Sequence, residues 1–302
     1  MEIQKNGEGV IIKNTAELSL EKLDELKKNG LVWVQLRDDR GTGEPNVFYC
    51  DTFEKIKNKV LEYASGAPKE TADDPDMEKK KFTYVYEKIA KNVSYNEKAS
   101  KACDLVGYER DMASPMIERA SSLEAILEDK ALCSGYSEIL RNVLSEVGID
   151  SLYISGGPKN MGEAISTNSG SHAWNQVKLD GKWYNCDLTN DADFILSGLK
   201  LPHFLKSNDE FTRYTKYPCK DSSKIQQANE SISEEKQEKL IEEQRQILLE
   251  EEKSLEKNSL KEQSIGKGFI SKLKGFFKGK KVNAKELNDF SLDSINREER
   301  GR

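Results

Sequence analysis

The chain has 302 residues, of which 36% are apolar and 33% charged, so part of it is expected to stay outside any core. Interspersed Lys and Glu give a net charge of −6, which argues against a global nucleic-acid footprint, because phosphate binding needs an excess of positive charge. The start Met1-Glu2-Ile3-Gln4-Lys5 has no basic-then-apolar leader, and nowhere do the roughly eighteen consecutive apolar residues of a membrane span occur, so a soluble cytoplasmic protein is expected.

Residues 1–64 read as a small α+β unit. Val10-Ile11-Ile12 predicts a strand, and Leu20, Leu23 and Leu26 a helix closed by Asn29-Gly30. A strand Leu31-Val32-Trp33-Val34 follows, then Val47-Phe48-Tyr49, then a helix with Asp51 as its N-cap and Phe53, Ile56 and Val60 on its inner face. The unit shows no chemistry. Residues 65–76, rich in Pro, Gly and acidic side chains, read as a linker. Residues 77–218 carry all the candidate chemistry.

Five scattered cysteines, with no C-x-x-C pair, fit neither a disulfide framework nor a zinc knuckle, and the only histidines are His172 and His203. Leu132-Cys133-Ser134-Gly135-Tyr136 opens a segment with Ile139, Leu140, Val143, Leu144 and Val147 at helical spacing, ended by Gly148. Cys133 thus falls in the first turn of an amphipathic helix. There the unpaired N–H groups and the positive end of the dipole favour a thiolate over the usual thiol pKa of about 8.5. A small buried residue is the plain alternative.

His172-Ala173-Trp174-Asn175-Gln176-Val177-Lys178-Leu179 and Lys182-Trp183-Tyr184-Asn185-Cys186-Asp187-Leu188 flank Asp180-Gly181, a two-residue hairpin signal. The implied register pairs Gln176 with Asn185 and Trp174 with Asp187. His172 is then the diagonal neighbour of Asp187 on one face, roughly 7–8 Å away at the backbone, a gap that an imidazole and a short carboxylate can bridge. A helix-start cysteine followed by His and Asp on one hairpin face meets the needs of thiolate catalysis: nucleophile, base and orienting acid. Singly, each has a plainer reading as core, half-buried strand residue or cap. Trp174, Trp183 and Tyr184 read as core and groove wall. Cys186 alternates to the opposite face and reads as core, His203 beside Pro202 and Phe204 reads as structural, and Cys50, Cys103 and Cys219 stay unassigned.

These residues resemble the bacterial transglutaminase-like superfamily. The resemblance lies in Cys133-Ser134-Gly135-Tyr136, Gly148-Ile149, His172-Ala173-Trp174-Asn175, and Gly181-Lys182-Trp183-Tyr184 leading to Asp187 and Thr189. It extends back to Tyr86-Glu87-Lys88-Ile89-Ala90 and Val93-Ser94-Tyr95, and forward to Phe204-Leu205-Lys206-Ser207, covering about residues 77–218. It implies an α+β, papain-like core in which a cysteine-bearing helix packs on an antiparallel sheet carrying the histidine and the aspartate. By the same resemblance Cys133 is the nucleophile, His172 the base and Asp187 the orienting acid of a cysteine enzyme acting on peptide or protein amides through a thioester. Water as acceptor makes it a peptidase or deamidase, an amine makes it a transglutaminase, and a silent binding module is a third possibility. No cofactor or metal is expected, and no role is read into Asn190.

The Gly- and Ser-rich stretch 155–171, leading into His172, reads as either a groove-shaping loop or an ordinary surface loop. Residues 225–302 read as a charged tail. Its Glu/Lys/Gln-rich part, 234–261, predicts a solvated helix or weak coiled coil, with Leu240, Ile241, Ile247, Leu248 and Leu255 as sparse apolar positions. Its basic amphipathic part, 265–281, offers weak membrane or partner contact, although four glycines make a disordered sticky patch the stronger reading. Every proposed catalytic residue precedes residue 225, so the tail is expected to be dispensable for catalysis.

Overall fold

In the computed structural model, residues 4–37, 46–69, 74–156, 172–214, 223 and 225–276 are described, without side chains at 4–6, 212–214 and 258–276. The first elements are β1 (Gln4–Asn6), β2 (Gly9–Ile12), α1 (Leu20–Lys28), β3 (Trp33–Leu36), β4 (Asn46–Tyr49) and α2 (Cys50–Ala64). They form a sheet of order β1-β2-β3-β4, in which α1 is the crossover between the parallel pair β2 and β3. Ser19 caps α1 through the Lys22 N–H, Leu23 and Leu26 face the core, and Gly30 adopts the positive φ of 89° that ends the helix.

Two local expectations are corrected. The strand expected at 31–34 begins at Trp33, because Val34 and Leu36 are the inward positions that pair with β2. Asp51 is not the cap of α2: β4 runs straight into the helix at Cys50, and Asp51 in the first turn is bound by Lys27 at 2.9 Å.

The chain continues through α3 (Met77–Asn92), β5 (Ser94–Tyr95), α4 (Glu97–Ala102), α5 (Gly107–Ser121) and β6 (Lys130–Ala131) to α6 (Cys133–Glu146). Then come β7 (Asp150–Gly156), β8 (His172–Leu179), β9 (Lys182–Cys186), α7 (Leu188–Leu196), α8 (Asn208–Tyr214) and α9 (Glu234–Phe276). Strands β7-β8-β9 form an antiparallel sheet, and α6 packs on it. This is the expected α+β arrangement, a cysteine-bearing helix on an antiparallel sheet.

The helix α6 is buried on nearly all sides, every residue from Gly135 to Leu144 lying inside. Its sheet-distal side meets the N-terminal unit, and the two share one hydrophobic core that runs from Val10 and Phe53 to Ile139 and Leu144. Polar groups lock the junction. Lys57 Nζ lies 2.7 Å from Glu146 and donates to the Thr15 carbonyl; the Thr15 hydroxyl donates to Glu146 at 2.6 Å, and its N–H donates to Asn142. Arg141, paired with Glu138 at 2.8 Å, reaches the Lys13 carbonyl. Deleting one partner of such a buried pair typically costs about 3–5 kcal/mol, because the other charge is left uncompensated.

Residues 225–248 belong to the compact unit that spans residues 1–248, whereas residues from 249 onward form a second unit. This changes the reading of 234–261 as a solvated helix. Ile232, Leu240, Ile241 and Leu248 lie in the main core, Gln237 donates to the Leu201 carbonyl, and Gln226 exchanges hydrogen bonds with Gln176 of β8. Leu255, in the second unit, is exposed. The side chains of the basic stretch 265–281, and the loop residues 157–171, lie outside what is described. Among the described residues no helix is long and apolar enough to cross a membrane.

Candidate active site

Strand β6 delivers the chain to α6 through Leu132, whose N–H donates to the Ala120 carbonyl at 2.8 Å. Gly135 is required at this approach: a Cβ there would lie 2.3 Å from the same carbonyl oxygen, closer than any side chain tolerates. The first turn is held further by the Tyr136 hydroxyl on the Val93 carbonyl and by Asn175 of β8, which donates to the Ser137 and Leu152 carbonyls. Cys133 is thereby fixed as the first residue of a helix of 14 residues, among N–H groups that have no carbonyl of their own helix to bond.

The Asp180-Gly181 turn has positive φ at both central residues, 51° and 78°, as a two-residue hairpin of matching twist requires. It sets the register expected from the sequence, with Gln176 opposite Asn185 and Asn175 opposite Cys186. The ladder stops at Cys186. Asp187 leaves the strand to cap α7, its Oδ1 accepting from the Asn190 N–H. On the diagonal, His172 Nε2 lies 2.6 Å from Asp187 Oδ2, which leaves Nδ1 as the ring nitrogen available to the Cys133 thiol, a hydrogen-bond partner of this histidine. Trp174 stacks beside the imidazole, with centroids 6.3 Å apart.

The electrostatics favour an ion pair. Burial opposes ionisation of the Cys133 thiol, but the His172 hydrogen bond and charge, with the Ala173 backbone N–H, outweigh it and hold the pKa below that of an ordinary thiol. Burial likewise disfavours the charged imidazole, yet the Asp187 charge and hydrogen bond, then Cys133, push the His172 pKa up to about 10. Both shifts favour the thiolate–imidazolium form of the pair over the neutral one.

The pair opens into a cleft of about 380 Å³, lined among others by Tyr95, Tyr136, Asn190, Asp193 and Leu196. Burial first, and then the Cys133 and Glu97 charges, raise the Tyr95 pKa against the Ser100 hydrogen bond, so this phenol keeps its proton at neutral pH.

Asn190 is the residue that sequence reasoning passed over. Its amide donates to Asp187 Oδ2 at 2.6 Å and lies 3.4 Å from His172 Nε2, covering the His–Asp contact. Its place three residues after a capping aspartate, the spacing of a capping box, was the available signal. The other candidates lie apart from the cleft. Cys186 is fully buried on the opposite face, Cys50 sits in the N-terminal unit, and His203 pairs with Asp191. Cys219 lies outside the described residues. Among the described residues no cluster of three or more His, Cys, Asp or Glu side chains could hold a metal ion.

Residues 66–188, which contain Cys133, His172 and Asp187, match the family model of the transglutaminase-like superfamily. This part of the chain belongs to that superfamily. No curated protein matches the chain. Among solved structures, a protein described as a TGase shares 15% identity, with a TM-score of 0.32, over 57% of this chain and 48% of its own. A protein of Cytophaga hutchinsonii described as a candidate cysteine protease shares 15% identity, with a TM-score of 0.28, over 47% of this chain and 38% of its own. The chain thus spans less than half the length of either structure. The transglutaminase-like segment starts after α2, so β1 to α2 form an addition in front of it that is packed into the same core.

Proposed function

We propose that the transglutaminase-like segment is a cysteine-dependent amide hydrolase with Cys133 as nucleophile, His172 as base and Asp187 as the group that orients and charges the imidazole. The observation that carries this reading is the His172–Asp187 contact of 2.6 Å behind a thiol whose pKa is held down, at the wall of an open cleft.

The thiolate of Cys133 attacks the amide carbonyl, forming a C–S bond and an oxyanion. First-turn N–H groups of α6 are its nearest donors in the sequence. The C–N bond then breaks, the nitrogen leaves with the proton from imidazolium Nδ1, and a thioester remains. A water molecule loses a proton to the now neutral imidazole and adds to the thioester. The C–S bond breaks, releasing a carboxylic acid and restoring the thiolate–imidazolium pair. An amine in place of water would give transamidation with the same residues. Hydrolysis is the preferred reading, because the cleft is open to water and no separate acyl-acceptor site is legible.

The test is covalent trapping. Incubation with a peptide-amide library and acid quenching should leave an acyl group on Cys133, identified by peptide mass mapping, and adding lysine or water at the second step separates the two outcomes. Cys133→Ala should abolish turnover with little change in melting temperature, since the thiol is small and its task covalent. Turnover surviving in that variant would end the nucleophile assignment.

A further inference from the structure

Apart from the cleft lies a second acid–histidine pair, with Asp191 fully buried and His203 nearly so. Asp191 Oδ1 accepts from the His203 N–H at 3.1 Å and lies 3.0 Å from His203 Nδ1, while its Oδ2 accepts from the Tyr86 hydroxyl at 2.9 Å. Burying such a cluster costs free energy that an apolar core would not, and its carboxylate sits on α7 only one turn from the equally buried Asp187. Its satisfied hydrogen bonds make it rigid.

Two arms link it to the proposed base. Along α7, the Asp191 N–H donates to the Asp187 carbonyl at 3.0 Å, so anchoring Asp191 from α3 and from the 201–207 segment fixes the turn that carries Asp187 and Asn190. Across the sheet, the His203 ring meets Phe211 of α8 edge-on at 6.2 Å, Phe211 meets Trp174 at 5.6 Å, and Trp174 stacks on His172. Trp174 depends on that packing, for its indole N–H is buried with no hydrogen-bond partner among the described residues. The contacts close a circuit: His172, Trp174, Phe211, His203, Asp191, Asp187 and back to His172.

We propose that His203, Asp191 and Tyr86 form a positioning unit that sets the geometry of the His172–Asp187 pair from behind, an inference that rests on the cysteine-enzyme reading above. None of the three touches substrate. They act by holding Asp187 and the Trp174 face at the distances that keep the imidazole charged and aimed at Cys133.

The readout is the pH dependence of Cys133 alkylation by iodoacetamide, resolved by peptide mass spectrometry in the full chain, which needs no substrate. Tyr86→Phe keeps the ring packing and removes one donor; His203→Leu removes the Asp191 bond; His203→Asn presents an amide N–H near the position of Nδ1. The expected result is an upward shift of the Cys133 midpoint of about 0.7 pH unit, roughly fivefold in thiolate at a given pH, for Tyr86→Phe and His203→Leu, as loss of one hydrogen bond predicts. His203→Asn should recover most of the shift, and kcat on a small amide should fall with KM nearly unchanged in the first two. Folded Tyr86→Phe and His203→Leu proteins with an unshifted midpoint would overturn the proposal, even if their melting temperatures fell; if His203→Leu does not fold, Tyr86→Phe decides. A parent protein whose Cys133 midpoint is ordinary and indifferent to Asp187→Asn would instead overturn the cysteine-enzyme reading, and this proposal with it.

Discussion

Replacing Asp187 by Asn keeps the shape of a fully buried side chain and removes its charge. In the parent, burial works against the charged imidazole, but the Asp187 charge and hydrogen bond, aided by Cys133, carry the His172 pKa from 6.5 to about 10. That rise corresponds to roughly 5 kcal/mol of preference for the imidazolium. An opposite charge at hydrogen-bond distance typically moves a pKa by roughly 1–3 units, so the variant loses on the order of 2 kcal/mol from the thiolate–imidazolium pair, and amide turnover falls about thirtyfold. The cost is far below the roughly 10⁴-fold of the comparable change in a serine triad, because a thiol already ionises partly near neutral pH. The pH profile moves as well. A base whose folded pKa is raised keeps its proton until the pH passes that value, so the parent's alkaline limb lies near 10. In Asp187→Asn the limb should fall by roughly 1.5 units, the equivalent of that 2 kcal/mol. The assay is a pH–rate profile of both proteins on one small amide, with circular dichroism to verify folding. A folded variant with an unchanged rate and an unchanged alkaline limb would refute the role given to Asp187.

Glu87 on α3 is fully buried, both carboxylate oxygens lack a hydrogen-bond partner among the described residues, and Arg245 of α9 stands 3.8 Å away. Burial, against the Arg245 and Lys91 charges, moves its pKa from 4.5 to about 7, so folding retains a proton that the unfolded chain has released and stability falls as pH rises through that window. Glu87→Gln should therefore gain on the order of 3 kcal/mol over the parent at pH 8 and nothing near pH 4; thermal melts with parallel pH dependence would contradict this. Ending the chain at Leu248 should leave folding and turnover intact. Ending it at residue 224 should unfold it, because buried Ile232, Leu240, Ile241 and Leu248 contribute about 1.5–3 kcal/mol each to a total stability of roughly 5–15 kcal/mol. A folded, active chain of 224 residues would show that residues 225–248 add nothing. Gly135→Ala should cost about 1–3 kcal/mol and slow Cys133 alkylation, since the new methyl meets a backbone carbonyl that must move; an unchanged melting temperature would show that the approach is looser than described.

The hairpin was legible because Asp180-Gly181 leaves few alternatives. A two-residue turn with positive φ at both positions admits one register, and the register puts His172 diagonal to Asp187. The helix start at Cys133 was legible from the periodicity that follows it. What stayed hidden was long-range polar pairing. Nothing in the local pattern marks Thr15 and Lys57, yet they fill a buried ion-pair site whose partner, Glu146, lies far along the chain. The inner face of α9 was missed for a related reason. Its buried seam sets Gln237 and Gln244 among Leu240, Ile241 and Leu248, so two of these five positions are polar, and a hydrophobic pattern does not register them. Asp51 was misread as a cap because the sequence shows no sign that β4 and α2 abut without an intervening residue.

The clamp between the N-terminal unit and the cysteine helix bears on how the protein comes into being. During synthesis Thr15 and Lys57 emerge early, but Asn142 follows Thr15 by 127 residues and Glu146 follows Lys57 by 89, and the segment at Gln226 that bonds to β8 follows later again. Contacts of such separation close late, since their loop entropy must be met before they yield anything. A ribosome-bound chain that already exposes Cys133 and His172 therefore still lacks the supports on both sides of them.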